Sequence, residues 1–166
     1  MLEYKTGEDF YNKMHFRFNA LIALSLLPFS LVFLELKDNP FSTAIITGNI
    51  AYALCIIAIA AIIYYSYLSF QEVKFFKKNI DKSSLLREKL DLYYKVYIQH
   101  FIILCSFEVL ITGLLYLTEF NILIVCYVLI LVLLSLNRPT LKTIIEQLKL
   151  SKEEQNIMFE KLEIDK

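Results

Sequence analysis

Long apolar stretches separated by short polar segments dominate the chain, and the most informative of them covers residues 97–118, YIQHFIILCSFEVLITGLLYLT. A helix of this length rises 1.5 Å per residue and crosses the roughly 30 Å hydrocarbon core of a bilayer. Its one charged residue, Glu108, lies close to its centre. A charged side chain facing lipid at that depth costs about 2.5–3.5 kcal/mol or more, so we expect Glu108 to face neighbouring helices.

The same pattern predicts three further membrane helices, over about 18–36, 43–69 and 120–137. Thr6 and Asp9 form a variant of the capping box, which predicts a helix start there. We expect this helix to be retained and to run into the membrane, since no signal-peptide cleavage site follows, and Pro28 predicts a kink in it. The sequence therefore predicts an all-α integral membrane protein, with an up-down bundle of four transmembrane helices over 1–138.

Two of these helices are predicted to continue beyond the membrane as a helical hairpin over about 70–96. Residues 64–79 contain good helix formers and no Gly or Pro, and a polar break follows at 79–84. A heptad-like seam then leads into the central span through Leu86, Leu90, Tyr93 and Tyr97. Tyrosines are expected to form an aromatic belt where the hairpin leaves the lipid: Tyr64, Tyr65, Tyr67, Tyr93, Tyr94 and Tyr97. The alternative interpretation of 70–96 is a disordered basic loop.

Residues 139–166 are predicted to form a short amphipathic helical tail. One apolar face comprises Ile144, Ile145 and Leu148. Ser151 and Glu154 have the spacing of a capping box, which predicts the start of a last short helix.

Small residues recur along the second span and predict close packing against another helix. Ala44, Gly48, Ala51, Cys55 and Ala58 follow one another at four, three, four and three residues, which would place them on one helix face. Asn49, beside Gly48, is expected to form an interhelical hydrogen bond. The alternative is that the pattern arises by chance in an alanine-rich segment.

Charge distribution predicts the orientation in the membrane. The chain has 17 Lys and Arg and 17 Asp and Glu, hence no net charge, while 57% of its residues are hydrophobic. Soluble domains are nearer 45–50% apolar. Sixteen of the 17 basic residues fall on one side of a four-span topology, which the positive-inside rule makes cytoplasmic. Both termini, the hairpin and the tail are therefore predicted to lie in the cytoplasm, in a multi-pass protein of the cell membrane.

Glu108 and His100 are the candidate functional residues within the membrane. Glu108 shares a face of its helix with Leu104, Ile111 and Leu115, with His100 at the edge. Three interpretations of Glu108 stay open. It forms part of a proton or cation path, or it is a neutral carboxyl bonded to Asn49, Ser106 or a tyrosine, or it pairs with a basic group of another subunit.

No catalytic, nucleotide-binding or metal-binding motif accompanies these residues. The three cysteines form no zinc spacing and are expected to pack as small hydrophobic residues, and no cofactor is predicted. His15 and His100, the only two histidines, could hold a haem only if they met across the first and third helices.

The resulting functional prediction is a non-catalytic accessory or assembly subunit of a larger membrane complex, in contact with lipid and with other membrane subunits or copies of itself, and not with nucleic acid. The alternative is a homo-oligomeric proton or cation channel or transporter that uses Glu108. A membrane enzyme or haem protein is the third possibility.

Overall fold

The computed structural model describes residues 3–38, 44–79, 85–160 and 162–164, with only the backbone given for 77–79. These residues form helices and no strand; one isolated antiparallel bridge joins Thr6 and Glu163. The helices are α1 (Gly7–Asp38), α2 (Gly48–Asn79), α3 (Leu86–Thr118), α4 (Ile122–Leu136), α5 (Leu141–Leu148) and α6 (Lys152–Phe159).

Three of the described helices are long and apolar enough to cross a membrane. They are α1, the Gly48–Phe76 part of α2, and α3. The fourth helix, α4, has only 15 residues and qualifies only when α5 is counted with it as one broken span. The prediction of an all-helical chain with several membrane-spanning helices is confirmed at this level.

Local sequence signals place the helix ends. The Thr6 hydroxyl accepts the Asp9 backbone N–H at 3.2 Å, and the Asp9 carboxylate accepts the N–H of Lys5 at 3.3 Å. This differs from a standard capping box only in that the carboxylate reaches one residue further back. At Ser151 both bonds of the standard box form with Glu154.

The structure begins the second span later than its hydropathy predicts. Thr43, the predicted start, lies outside the described residues, and α2 begins at Gly48 with φ of 67°. Glycine adopts this left-handed conformation without the steric cost that other residues bear. At the other end, the predicted polar break lies between Asn79 and Leu86, with 80–84 outside the described residues.

The chain divides into two compact units. The polar unit comprises Met1–Asn19, Phe70–His100 and Arg138–Lys166. The apolar unit comprises Ala20–Ser69 and Phe101–Asn137. Of the 17 Lys and Arg in the sequence, only Lys37 belongs to the apolar unit.

In the polar unit, the ends of α2 and α3 pair in antiparallel fashion. The rings of Phe70 and His100 lie 4.9 Å apart, and those of Phe76 and Tyr93 lie 6.3 Å apart. The later residue of α2 thus meets the earlier residue of α3, as antiparallel helices require. All four residues of the predicted seam are buried: Leu86, Leu90, Tyr93 and Tyr97. The helical hairpin is thus present on both sides of the segment 80–84.

The chain ends of this unit pack closely. The Ile164 N–H donates to the Lys5 carbonyl at 3.1 Å, beside the Thr6–Glu163 bridge. At Gly7, a Cβ would lie 2.8 Å from the Cα of Met158, so no larger residue fits without a shift. Glycine at this position allows α1 and α6 to touch.

Only three of the six tyrosines predicted to form an interfacial belt are exposed. Tyr64, Tyr65 and Tyr67 are exposed, as an interfacial belt requires. Tyr93, Tyr94 and Tyr97 are buried inside the polar unit instead. Their rings contribute to its core because the seam places them between helices.

Candidate intramembrane carboxylate site

Glu108 lies at the centre of the apolar unit and is completely buried. The α3 face predicted from helical spacing is buried around it, with Leu104, Ile111 and Leu115 all at 0% exposure. Its Oε2 lies 2.5 Å from the Ser25 hydroxyl oxygen of α1, within hydrogen-bonding distance. The carboxyl therefore joins α1 to α3 within a single chain.

The hydrogen-bond count at Ser25 favours a neutral carboxyl. The Ser25 Oγ also lies 2.9 Å from the Ile22 carbonyl, which can only accept. A serine hydroxyl has one proton, so it can donate to only one of these two oxygens. Both contacts are hydrogen bonds if Glu108 carries the proton and donates it to Ser25, while Ser25 donates to Ile22.

Two of the partners expected for Glu108, Asn49 and Ser106, do not bond it. The Ser106 hydroxyl bonds the Ile102 carbonyl of its own helix at 2.8 Å, and Asn49 is exposed. Ser25 could have been identified from spacing, since it extends the buried α1 face of Phe10, Met14 and Phe18 at helical intervals.

Two further polar groups line the site. Tyr127 of α4 and Cys105 of α3 both lie within electrostatic range of Glu108. The Tyr127 ring stacks on Phe29 of α1 with centroids 3.7 Å apart. Among the described residues, neither the Glu108 Oε1 nor the Tyr127 hydroxyl has a hydrogen-bond partner. The site thus joins three helices and leaves two buried polar atoms available.

The predicted small-residue face is partly wrong. Ala44 precedes α2 and cannot share its face, and Gly48 and Asn49 are exposed. A Cβ at Gly48 would meet nothing within 4 Å, so the described chain makes no close approach there. Ala51 and Cys55 are buried, and Ala58 is half-buried. The small residues that α2 does bury therefore lie in its first three turns, after the exposed Gly48 and Asn49.

Each histidine has its own set of neighbours. His100 is buried and meets the Phe70 ring edge-on. His15 is half-buried, stacks on Tyr11, and bonds Asn19 and Arg138. Within the part of the chain that the structure describes, no three His, Cys, Asp or Glu residues group as metal ligands.

A second buried charge, in the polar unit, was missed by sequence reasoning. Lys89 of α3 has a side chain 3% exposed, and its Nζ donates to the Glu154 carboxylate of α6 at 2.6 Å. Burial by itself would raise the pKa of Glu154, but the bonds from Lys89 and from the Ser151 N–H hold that pKa below its usual 4.5. The capping box was the one local signal. It predicted that Glu154 lies at a helix start, but it could not predict that Glu154 pairs with Lys89.

Other long-range polar contacts hold the same unit together. The Tyr4 hydroxyl donates to the Asp91 carboxylate at 3.0 Å, and Arg17 donates to the Tyr94 hydroxyl. Gln147 of the tail accepts from the Tyr93 hydroxyl at 3.2 Å and from that of Tyr97. The N-terminal segment and the tail are thus both attached to α3.

Comparisons with protein-family models, with curated proteins and with solved structures found no match for this chain.

Proposed function

We propose that the chain is a non-catalytic accessory or assembly subunit of a larger complex in the cell membrane. The observation that carries this proposal is the Glu108–Ser25 contact, in which the one carboxylate at the centre of a span is buried and bonded within its own chain. A group used in this way holds helices together, as single polar groups do in membrane proteins. This contact gives the buried carboxyl a polar partner within its own chain.

The proposed topology has four spans, over about 18–36, 43–69, 97–118 and 120–137, with both termini, the hairpin and the tail in the cytoplasm. Support comes from the segregation of basic residues, since 16 of 17 belong to the polar unit. The cytoplasmic leaflet retains such segments by the positive-inside rule.

This topology can be tested by labelling single cysteines in a background where Cys55, Cys105 and Cys126 are replaced by alanine. Cysteines at positions 82 and 152 should resist a membrane-impermeant reagent applied from outside, while a cysteine at position 121 should react. Labelling of position 82 or 152 from outside in intact cells would reject the proposed sidedness.

The subunit role predicts stable association with other proteins. Large apolar side chains remain exposed along α2, among them Ile50, Ile57 and Ile63, each at 65% or more. Lipid or a membrane partner can cover such a surface, and the polar unit is available to cytoplasmic partners. We therefore expect the tagged chain, expressed at its native level and extracted in mild detergent, to co-purify with defined proteins in fixed ratio. Recovery as a free monomer, like that of an unrelated tagged membrane protein, would reject the role.

A second candidate function is a proton or cation path through Glu108. It is favoured by one observation, namely that the Glu108 Oε1 and the Tyr127 hydroxyl are buried without a hydrogen-bond partner among the described residues. In proteoliposomes, Glu108→Gln should then abolish proton flux while a Ser106→Ala control retains it. Equal flux in wild type and Glu108→Gln, or no flux above empty liposomes, would exclude this function.

A further inference from the structure

A groove of about 510 Å³ opens between the two helices of the tail. Its apolar wall includes Ile145, Leu150 and Phe159, and its charged edge includes Lys142, Lys149 and Glu146. The Phe159 ring is 60% exposed although it lies beside two other apolar side chains. A surface with cations at one edge and bare apolar groups at the other suits an amphiphile with an anionic head.

The two helices that form the groove are fixed by packing and by helix caps. On the opposite side of α5, Ile144 and Leu148 are almost fully buried. The Thr140 hydroxyl caps the start of α5 by accepting the Thr143 N–H at 3.1 Å, and the Ser151 capping box starts α6. The two helices therefore present the groove in a defined shape.

Both lysines of the groove can bind an anion, because neither is held in a strong ion pair. Lys142 and Glu146 are 3.9 Å apart with side chains 86% and 64% exposed, and a surface pair of that kind contributes little. Among the described residues, no carboxylate forms an ion pair with Lys149.

The backbone conformation at Lys149 makes glycine a suitable test substitution there. Lys149 ends α5 in the left-handed conformation, at φ 51° and ψ 44°. Glycine or asparagine is the usual residue there, because a Cβ in this region adds steric cost. The chain thus places a cationic side chain at a position where glycine would be favoured for folding.

Chain length places this groove near the bilayer. Only residues 137–140 separate the last residue of α4 from the first of α5. The five Cα–Cα steps from Leu136 to Leu141 span at most about 18 Å, so the tail starts close to where the fourth proposed span leaves the lipid. The cytoplasmic leaflet is rich in anionic phospholipid.

We infer that the α5–α6 groove binds an anionic phospholipid of the cytoplasmic leaflet, with the phosphate at Lys142 and Lys149 and the first acyl carbons against Ile145 and Phe159. A groove of this size accommodates a headgroup and short lengths of acyl chain, whereas a protein partner needs about 800 Å² of surface on each side. The inference depends on the proposed placement of the tail at the membrane surface, and it goes beyond the subunit role.

Native mass spectrometry of the full chain in detergent tests this binding directly. Dioleoylphosphatidylglycerol and dioleoylphosphatidylcholine, which differ in net charge, would be titrated separately. We expect one phosphatidylglycerol to bind preferentially, and Lys149→Gly to weaken that binding about fivefold, the usual effect of one basic residue at a membrane surface. Because glycine suits the left-handed position, this variant should keep or increase the thermal midpoint of the protein.

Two further variants distinguish a defined lipid site in the groove from a general electrostatic attraction of anionic lipid to the tail. Lys152→Gln removes the same charge from the same tail outside the groove, and it should leave binding within twofold of wild type. Glu146→Gln removes the carboxylate beside the phosphate and should strengthen binding. Equal weakening by Lys149→Gly and Lys152→Gln, or equal binding of both lipids, would overturn the inference.

A dimer that dissociates in Lys149→Gly would assign the groove to a second copy of the chain and would also overturn it. Since the titration is made in detergent, these results do not depend on sidedness or on any partner protein. Failure of the lipid site is therefore distinguishable from failure of the proposed subunit role.

Discussion

The polar and apolar units use polar side chains in opposite ways. In the polar unit they join segments far apart in sequence, as in the Tyr4–Asp91 and Lys89–Glu154 contacts. In the apolar unit, several serine and threonine hydroxyls bond a carbonyl of their own helix, as Ser30, Ser106 and Thr112 do. The Ser25–Glu108 bond differs from these, since it connects two helices.

This difference follows from the solvent that each unit is suited to. A helix surrounded by lipid must satisfy its backbone and side-chain polar groups within itself or with a neighbouring helix. Helices at an aqueous surface can use charged and aromatic side chains as long-range ties, because the unburied parts of those side chains stay hydrated. Removing a long-range polar contact should therefore lower the free energy of unfolding more in the polar unit than in the apolar unit.

The largest effect is expected from Glu154→Gln. Glutamine can still form the capping box with Ser151, so the variant removes the charge that pairs with the buried Lys89 and leaves the cap. We expect the free energy of unfolding of the polar unit to fall by about 3 kcal/mol, as when one partner of a buried pair is lost. Urea denaturation in detergent, followed by proteolysis of the tail, measures it.

The exposed pair Lys142–Glu146 supplies the matched control for that experiment, because Glu146→Gln should change stability by less than about 0.5 kcal/mol. A similar small effect for Glu154→Gln would show that the buried pair does not hold the tail.

Acid should weaken the Lys89–Glu154 ion pair. The pKa of Glu154 in the folded chain lies below its usual 4.5, so its contribution to stability is complete above that value and is lost as pH falls through the lowered pKa. As pH falls below about 4.5, the wild-type urea midpoint should therefore drop more steeply than that of Glu154→Gln. Parallel pH profiles for the two proteins would contradict the assignment.

A glycine-to-alanine substitution should act with opposite sign in the two units. Gly7→Ala would place a methyl group 2.8 Å from the Met158 backbone, and overpacking of this kind costs about 2 kcal/mol. In Gly113→Ala the added Cβ meets nothing within 4 Å, so the substitution should stabilise α3 by up to about 1 kcal/mol. Thermal midpoints in detergent compare the two; a loss at both positions would contradict the packing described at Gly113.

Substitution of Gly48 should cost about 1 kcal/mol through backbone strain alone, since its φ is 67° and its surroundings are open. Gly48→Asn should recover most of the stability that Gly48→Leu loses, because asparagine tolerates the left-handed region. Equal losses for both, accompanied by a change of oligomeric state, would instead indicate a contact made by side-chain size.

The smallest effect is expected at Glu108. Glu108→Gln keeps a hydrogen-bonding group and should be tolerated, while Glu108→Leu should cost about 0.6 kcal/mol, the average for interhelical hydrogen bonds in one membrane protein. Ser25→Ala should give a similar loss, and the double variant should lose no more than either single one. Additive losses in such a double-mutant cycle would show that the two residues do not act as a pair.

Helical spacing predicted the arrangement of α3 well. Its buried face was identified from Leu86 to Leu115, because a regular 3.6-residue period is a local property of the sequence. Both capping sites, at Thr6 and Ser151, were also identified, since a cap depends only on residues three apart. The Gly48 start of α2 was missed, because hydropathy does not detect where a left-handed residue interrupts an apolar run.

What the sequence determined by itself is an all-helical chain with several helices apolar enough to span a membrane, the buried face of α3 and the position of Glu108 within that face. Only the tertiary structure decided that Ser25 is its partner, that Lys89 meets Glu154, and that Tyr93 and Tyr97 are buried against the tail. Periodicity and capping are local and can be read along the chain. Pairing between residues 50 or more positions apart depends on which helix faces meet, and many such pairings satisfy the same hydrophobic pattern.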